Sequence, residues 1–352
     1  MKVGFILPST TTGEAGYAKY LKEGLLKRKV QVRQISSPFL KRPNMRIFLG
    51  SLMLQRFTNH KDLDLVHNLD NLGPYLFPNH SPVRRVLTVH DIAPVVLPQL
   101  HSSLLRFNFK TILPVLIRNS DAVIVPSQAT KQDLLHYFSI TPEKVEVIPM
   151  GIDTSYFYPQ KADERVLNKY GINRDYMLYV GTDNPRKNLK NLVISFSHLY
   201  QKVDFDLVLV GPINGENLIK FVKHLNPSHE LLNRIILPGY VDESDLPVLY
   251  SASEAFIFPS LYEGFGFPPL EAMACGTPVI ASDNSSISEV VGDAGLLIQD
   301  PLNPQEISQS ILKLHEDEDL KMKLKEKGLK QVNKFDWDEN ADKTFQLYQD
   351  LL

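Results

Sequence analysis

Residues 255–281 read AFIFPSLYEGFGFPPLEAMACGTPVIA, and this stretch indicates the fold more clearly than any other part of the chain. An apolar run, Ala255–Phe258, ends at a loop with two glycines. A short apolar helical pattern follows, and then a second apolar run, Pro278–Ala281. Two short buried strands joined through a helix are typical of a unit with parallel strands. We therefore predict an α/β fold built from such units.

The same alternation of short apolar runs and helical patterns extends along the whole chain. Each half has six candidate strands, which is enough for one doubly wound domain of the Rossmann type. At 352 residues the chain is also long enough for two domains of ordinary size. The candidate strands are Val3–Leu7, Val30–Ile35, Leu63–His67, Val86–Val89, Ala122–Val125 and Val145–Ile148 in the first half, and Tyr176–Val180, Phe205–Val210, Arg234–Leu237, Ala255–Phe258, Pro278–Ala281 and Gly295–Ile298 in the second.

The composition is that of a soluble protein in a reducing compartment. Hydrophobic residues make up 43% of the chain and charged residues 22%, which suits a globular protein with a sizeable core. Cys275 is the single cysteine, so no intramolecular disulfide can form. No apolar stretch approaches the roughly 20 residues that span a membrane, and the N-terminal apolar run is too short for a signal peptide. We expect a cytoplasmic location.

Charge is distributed unevenly along the chain. Residues 1–120 carry 17 Lys and Arg against 6 Asp and Glu, a net charge of +11, whereas the remainder carries −13. Within the basic part, Phe39–Phe57 mixes Lys and Arg with large apolar side chains. Such a segment suits either an anionic membrane surface or an ordinary helix with a solvated basic face, and both interpretations stay open. No zinc-finger spacing or RNA-binding motif is present, so we expect no nucleic-acid partner.

Several polar residues and glycines directly follow predicted strands. Because ligands in doubly wound sheets bind outside the C-terminal ends of the strands, these positions are the candidate ligand edge of each domain. In the first half they are His90, Asp91 and Ser127, and in the second half Gly181, Thr182, Gly211 and Ser260.

Two Asp-x-Asp patterns resemble the metal-binding motif of metal-dependent sugar transferases. Asp62–Asp64 and Asp204–Asp206 both lie at the beginning of a predicted strand, at the edge opposite the expected ligand site. No His and Cys spacing typical of a metal site is present either. We therefore expect no metal and no other cofactor.

Two adjacent cations, Arg186 and Lys187, follow the predicted strand Tyr176–Val180. The planar guanidinium of Arg186 suits phosphate oxygens, and Lys187 adds a compact charge, so the pair could neutralise a diphosphate without a divalent ion. The alternative interpretation is that both cations lie at the start of a helix and are simply exposed to solvent. Like charges are unfavourable beside the positive end of a helix dipole, however, and this conflict favours an anionic ligand.

Two carboxylates, Glu263 and Glu271, flank the start of the apolar helix in the opening stretch. A helix start presents backbone amides to oxygen-rich ligands, and a carboxylate can accept hydrogen bonds from two neighbouring hydroxyls. We place Glu271 in the first helical turn and interpret the pair as sugar-binding. The alternative is that Glu263 caps the helix and Glu271 complements its dipole.

Together these segments resemble a known family. Phe258–Val279 is similar to the E-x7-E region of the family 4 retaining glycosyltransferases, which have the GT-B fold of two Rossmann-like domains facing a cleft. The resemblance covers essentially the full chain. Its further elements are Gly181-Thr182 with Arg186-Lys187-Asn188, Val208–Pro212, Pro238–Val241, His90-Asp91, Val125–Ser127 and Pro149–Asp153.

The resemblance implies a domain arrangement. Residues 1–158 are expected to form an N-terminal acceptor domain, and residues 159–336 a C-terminal donor domain. The final helix, Trp337–Leu352, is expected to cross back and complete the N-terminal domain. Its apolar residues suit that position.

The resemblance also implies a role for each matching residue. Arg186 and Lys187 bind the donor diphosphate, Glu271 binds the ribose, and Glu263 holds the transferred sugar, which His90 approaches from the other domain. The other donor-binding residues are Gly181, Thr182, Gly211, Tyr240, Val241, Gly264, Phe265 and Gly266, of which Gly211, Tyr240 and Val241 line the base pocket and the last three offer backbone amides to the sugar.

One loop departs from the family pattern. A Gly-Gly pair and a downstream Arg often follow the first strand in this family, whereas Thr12–Tyr17 here reads TGEAGY, with a negative charge at Glu14. We therefore assign Gly13, Glu14, Gly16 and Tyr17 only to acceptor or loop roles.

The resemblance implies metal-independent transfer of a hexosyl group with retained configuration. We favour a UDP-glucose-type donor over a GDP-mannose-type donor, and a lipid-linked or oligosaccharide acceptor in cell-surface polysaccharide synthesis. A nucleotide-sugar epimerase with the same fold and a non-catalytic sugar-binding protein are the alternatives. A dehydrogenase is disfavoured because no Gly-x-Gly-x-x-Gly follows the first strand.

Overall fold

The chain folds into two compact α/β units. Unit 1 consists of Met1–Gly151 together with Phe335–Leu352, and unit 2 consists of Ile152–Lys334. The computed structural model describes residues 1–7, 13–35, 48–54, 62–78 and 80–352, apart from the side chains of residues 13 and 14.

Unit 1 is built on a six-stranded parallel sheet with the strand order β2-β1-β3-β4-β5-β6. The central strands are buried at almost every residue, as expected for a parallel sheet covered on both faces. The strands are β1 (Lys2–Ile6), β2 (Gln31–Ile35), β3 (Leu65–Asn68), β4 (Arg84–Thr88), β5 (Ala122–Val125) and β6 (Val145–Val147), and the helices are α1 (Gly13–Lys27), α2 (described over 48–54), α3 (Ala93–Val96), α4 (Ser103–Phe107), α5 (Leu113–Arg118), α6 (Gln128–Tyr137) and the C-terminal α15 (Trp337–Leu351).

Unit 2 contains a second six-stranded parallel sheet, with the order β12-β11-β10-β7-β8-β9. Its strands are β7 (Tyr176–Val180), β8 (Asp206–Val210), β9 (Ile235–Gly239), β10 (Ala255–Phe258), β11 (Val279–Ser282) and β12 (Gly295–Ile298), and its helices are α7 (Glu164–Lys169), α8 (Leu189–Ser197), α9 (Gly215–Leu225), α10 (Leu246–Ala252), α11 (Phe267–Ala274), α12 (Ser285–Val291), α13 (Pro304–Glu316) and α14 (Glu318–Val332).

The predicted α/β fold with two doubly wound domains is confirmed. Each predicted strand is present, with ends shifted by at most two residues. For example, β3 begins at Leu65 rather than Leu63. The Asp64 carboxylate just before it accepts a hydrogen bond from the backbone N–H of Lys2 at 2.7 Å.

The C-terminal helix α15 packs against α1 in unit 1, as the resemblance implies. At Gly24 of α1 a side chain would overlap the Cβ of Ala341, so the two helices approach closely there. The buried hydroxyl of Tyr348 lies 2.6 Å from Nδ1 of His67 in strand β3. The helix is therefore attached both to α1 and to the sheet.

The two units divide at positions different from the sequence-based boundaries of 158/159 and 336/337. Residues 152–158 belong to unit 2, where the ring centroid of Phe157 lies 6.3 Å from that of Tyr250. At the second boundary, the backbone at Asp336 and Trp337 lies directly against Gly151, which places these residues in unit 1.

Both Asp-x-Asp patterns lie at the N-terminal edges of the sheets and make structural contacts. Asp206 begins β8 and accepts a hydrogen bond from Nε of Arg234 at 2.6 Å. Among the described residues, no three His, Cys, Asp or Glu side chains form a group that could hold a metal ion. No helix in the described part of the chain is both long and apolar enough to cross a bilayer.

Candidate active site

The C-terminal ends of β7, β8 and β9 meet at one edge of the unit 2 sheet, where the predicted donor-binding glycines lie. The N–H of Gly181 donates to the carbonyl of Val210, and that of Gly211 donates to Gly239, both at 2.9 Å. Gly211 has φ of 127°, and a Cβ there would overlap the carbonyl oxygen of Gly181. Glycine is therefore required at 211 both by its backbone conformation and by the close approach of the two loops.

The cation pair lies in a single 3-10 turn, Pro185–Lys187, that precedes α8. Asn184 caps this turn by accepting the N–H of Arg186 at 3.0 Å. Asn188 ends it in the left-handed conformation with φ of 60°, and its buried amide donates to the carbonyl of Pro301 at 2.6 Å. The structure opposes the alternative of a solvated basic helix start, because the left-handed Asn188 separates the two cations from α8, which begins at Leu189.

Both cations contact the carboxylate of Glu263. Nη1 of Arg186 lies 2.8 Å from Oε2 of Glu263, and Nζ of Lys187 lies 2.8 Å from Oε1. The three side chains are only 17%, 15% and 10% exposed. Nη1 of Arg186 also donates to the carbonyl of Tyr262 at 2.6 Å. We call Arg186, Lys187 and Glu263 the charge cluster, which carries a net charge of +1.

The charge cluster keeps Glu263 ionised. Burial by itself favours the neutral acid, but the charges of Lys187 and Arg186 outweigh it and hold the pKa of Glu263 below its ordinary value. Lys187 also lies 4.9 Å from the ring centre of Phe258. The cluster therefore combines an ionised carboxylate with two cations at the ligand edge of the sheet.

Glu271 lies in α11, in a different electrostatic environment. Oε2 accepts a hydrogen bond from the hydroxyl of Tyr250 at 2.9 Å. Burial raises the pKa of Glu271 to about 7, although the Tyr250 hydrogen bond and the charge of Lys187 oppose that shift. A carboxyl group near half-ionisation at neutral pH can change its charge when a ligand binds.

Helix capping does not account for the two carboxylates. Helix α11 begins at Phe267, so Glu271 follows the first turn rather than lying in it as predicted, and the helix dipole acts mainly within that turn. The N-cap position is Gly266, with φ of 122° and no side-chain cap. Glu263 contacts the cations instead. The structure thus opposes the capping alternative for both residues.

The remaining predicted donor-side residues lie in loops at this same edge. The carbonyl of Thr182 accepts a hydrogen bond from the hydroxyl of Tyr179 at 2.7 Å, and this bond fixes the loop after β7. Tyr240 and Val241 directly follow β9. The Tyr240 side chain is 79% exposed, so its ring is open to a flat ligand. Residues 264–266 connect Glu263 to α11.

In unit 1, His90 lies just beyond the end of β4, as predicted. Its N–H donates to Oδ1 of Asn71 at 2.6 Å, and Nε2 lies 3.0 Å from the carbonyl of Leu69. Since a carbonyl oxygen can only accept, Nε2 donates this hydrogen bond. The neighbouring Asp91 accepts the N–H of Ala93 at 3.0 Å, a local structural role at the start of α3.

The loop predicted over Thr12–Tyr17 is wrong for residues 13–17, because helix α1 begins at Gly13, whereas Thr12 lies outside the described residues. Tyr17 is buried, with its hydroxyl 3.3 Å from that of Thr88 and its ring against His90. It is a core residue rather than a loop residue. Gly16 has open space around it, and the side chains of Gly13 and Glu14 lie outside the described part.

Sequence reasoning assigned no role to Tyr250, Ser285 or Ser286, although all three contact the site. Tyr250 lies in an apolar helix, and its hydrogen bond to Glu271 spans 21 residues. The two serines contact the backbone around Glu263. Their proximity arises from the tertiary fold, and no local pattern in the sequence indicates it.

Family models match both units. The model of glycosyl transferases group 1 matches residues 162–331, and that of Glycosyltransferase Family 4 matches residues 10–156. The O-antigen chain mannosyltransferase B of Escherichia coli is 32% identical over 283 residues, which cover 79% of this chain and 73% of that protein. The serotype-specific mannosyltransferase WbdA of the same species is 27% identical over 280 residues, which cover 78% of this chain but 34% of that protein.

Among solved structures, a sucrose-phosphate synthase from Thermosynechococcus elongatus matches 100% of this chain and 99% of its own with a TM-score of 0.82. At 23% sequence identity this likeness shows the fold alone. The two parallel sheets and the similar proteins define a glycosyltransferase with the GT-B fold. The chain belongs to glycosyltransferase family 4.

Proposed function

We propose that the protein transfers a hexosyl group from a nucleoside-diphosphate sugar, with retained anomeric configuration and without a metal ion. The observation that carries this proposal is the charge cluster, in which Arg186 and Lys187 lie side by side at the ligand edge of unit 2. The two cations supply positive charge where a metal-dependent enzyme would use a divalent ion. Glu263 supports a sugar, since an ionised carboxylate accepts hydroxyl hydrogens.

The reaction we propose breaks the bond between the anomeric carbon and the diphosphate oxygen, and the electron pair leaves with the diphosphate. Arg186 and Lys187 stabilise the charge that develops on this leaving group. The acceptor oxygen bonds to the anomeric carbon on the same face, and its proton passes to the departing diphosphate oxygen. We also propose that His90 assists this step through Nδ1, since Leu69 holds its other nitrogen.

Glu271 is proposed to bind the ribose of the donor through its carboxylate. Tyr250 occupies one side of Oε2 and fixes the direction of the carboxyl group. Gly211, Tyr240 and Val241 are proposed to receive the base, because Gly211 allows close backbone approach and the Tyr240 ring is open for stacking.

Of the donors, a GDP-mannose-type sugar is now favoured over a UDP-glucose-type sugar. The supporting observation is that the two E. coli relatives named above are mannosyltransferases. A panel of nucleotide sugars in EDTA, read as a thermal shift, tests the choice. GDP-mannose should raise Tm most. A larger shift with UDP-glucose would favour a UDP-glucose-type donor instead, and no shift with any donor would contradict metal-independent binding.

The acceptor is proposed to be a lipid-linked or oligosaccharide glycan of a cell-surface polysaccharide, reached from the cytoplasmic membrane face. Large parts of Phe39–Phe57 lie outside the described residues, but its described helix α2 exposes 51% of Phe48 and 45% of Leu52. Leu104 and Phe107 of the same basic unit are 60% and 58% exposed. Exposed apolar side chains on a basic unit suit an anionic membrane surface.

Flotation with vesicles of anionic phospholipid at low salt tests this membrane proposal. The wild type should float with anionic vesicles and stay behind with neutral ones. Leu104→Ser with Phe107→Ser should reduce flotation, whereas Leu302→Ser in unit 2, which is also exposed at 61%, should not. Equal flotation with both vesicle types, or none, would contradict an electrostatic membrane contact.

A further inference from the structure

Two consecutive serines, the first residues of α12, contact the backbone of Glu263. Oγ of Ser285 accepts the N–H of Glu263 at 3.0 Å. Oγ of Ser286, which is fully buried, lies 2.8 Å from the carbonyl oxygen of Glu263 and 2.7 Å from that of Phe265, and its single hydroxyl hydrogen is shared between these two acceptors. Both main-chain polar groups of Glu263 are therefore bound by hydroxyls at the start of the same helix.

Ser285 has an unusual backbone conformation for this residue type. Its φ is 47°, in the left-handed region that glycine adopts without strain. The hydroxyl accounts for a serine here, because Oγ lies 3.1 Å from Oδ1 of Asn284 while accepting from Glu263. A strained residue held by hydrogen bonds is often found at functional sites.

The loop between β11 and α12, which precedes the two serines, is attached to the chain segment that leads to Glu263. Nδ2 of Asn284 donates to the carbonyl of Ser260 at 3.1 Å. On the other side, the N–H of Leu261 donates to the carbonyl of Arg186 at 2.8 Å. The segment before Glu263 is therefore held both by the β11–α12 loop and by the turn that carries the cations.

Resting on the proposed function, we propose that Ser285 and Ser286 are positioning residues that hold the Glu263 carboxylate in the geometry for catalysis. Glu263 is bound at three places: its N–H by Ser285, its carbonyl by Ser286, and its carboxylate by Arg186 and Lys187. The cations alone would allow the carboxylate to follow them when a diphosphate draws them away. The serines fix the main chain independently of the cations.

The proposal predicts a loss of turnover when either hydroxyl is removed. Ser286→Ala should lower kcat about 10- to 100-fold, the size expected when a catalytic group is misplaced, with little change in the donor KM. Ser308→Ala is the matched control, since that buried hydroxyl also donates to a backbone carbonyl, that of Gln305 at 2.8 Å, but in α13. The control should retain the kcat of the wild type.

Ser285→Gly and Ser285→Ala separate the hydroxyl from the backbone conformation. Glycine adopts φ of 47° without strain and alanine does not, so Ser285→Gly should retain Tm better than Ser285→Ala. Because both lack the hydroxyl, both should lose kcat to a similar extent. Full turnover in Ser285→Gly would overturn the proposal and leave a purely conformational role for this position.

A double-mutant cycle with Glu263→Gln tests whether the serines act through Glu263. If they do, Ser286→Ala should lower kcat no further in the Glu263→Gln background. Losses that simply multiply would contradict the proposal. If Glu263→Gln alone retains full transfer activity, the assignment of Glu263 in the proposed function fails instead, so the two failures can be told apart.

Discussion

At the scale of single residues, two carboxylates of one loop and helix lie in opposite electrostatic environments. Glu263 touches two cations and remains ionised despite burial. Glu271 has a neutral hydroxyl as its partner, and burial brings its pKa to about 7. From the sequence alone both carboxylates were interpreted as sugar-binding. In the structure their partners and pKa values differ, and we propose different roles for them, with Glu263 on the transferred sugar and Glu271 on the ribose.

We expect donor affinity to rise with pH through about 7, where Glu271 loses its proton. The ionised carboxylate accepts two ribose hydroxyls, whereas the protonated acid accepts fewer. Titration calorimetry with the donor between pH 6 and 8 measures this, and Glu271→Gln is the control that should flatten the profile. The same slope in wild type and Glu271→Gln would show that another group is responsible.

The raised pKa of Glu271 also affects stability. Its folded pKa, about 7, exceeds its ordinary value of 4.5, so its contribution is fully present below 4.5 and is lost as pH rises through 7. Relative to Glu271→Gln, the free protein should therefore lose Tm over this range. A constant difference in Tm between the two proteins from pH 4.5 to 7.5 would contradict the shift.

At the scale of elements, the loops after β7 and β8 approach so closely that their packing depends on the absence of a side chain at Gly211. Gly211→Ala should destabilise unit 2 by about 1–3 kcal/mol or more, because of its positive φ and the overlap with Gly181. Gly215→Ala at the start of α9 has open space and is the control, expected to be neutral or stabilising. Thermal unfolding followed by circular dichroism compares them. Equal Tm values would mean that the loops can separate at little cost.

Helix α15 should contribute to the stability of unit 1 through its buried hydroxyl. Tyr348→Phe leaves Nδ1 of His67 without that partner, and a buried unsatisfied group costs about 1–3 kcal/mol. Trp337, the single tryptophan, lies in unit 1, so its fluorescence during urea unfolding reports on this unit. The exposed Tyr137→Phe is the control. An unchanged midpoint for Tyr348→Phe would contradict a role for this hydrogen bond.

The elements were more predictable than the contacts between them. Strands such as β5 and β10 are buried at every residue, so an unbroken apolar run indicates them directly. The positions of His90 and Gly211 follow from the strand ends. The pairing of Arg186 with Glu263, 77 residues apart, and the two serines against Glu263 depend on how the loops fold together. The prediction of a loop at Tyr17 was wrong because the glycines near it, Gly13 and Gly16, are compatible with a helix as well as with a loop.

At the scale of the whole molecule, each unit supplies its own sheet and its own ligand edge. Unit 2 contains the charge cluster, Glu271 and the glycine loops, and unit 1 contains His90 and the exposed side chains of Leu104 and Phe107. The family resemblance implies that the second domain binds the donor. All the candidate donor-binding residues lie in unit 2.

The central claim is that Arg186 and Lys187 stabilise the departing diphosphate without a metal ion. Hexosyl transfer from the preferred nucleotide sugar, measured in EDTA for the wild type, Arg186→Ala and Lys187→Ala, tests it most directly. The claim predicts full wild-type activity in EDTA and a loss of about 100-fold or more in kcat for each variant. Activity abolished by EDTA and restored by a divalent ion, or variants as active as the wild type, would contradict it.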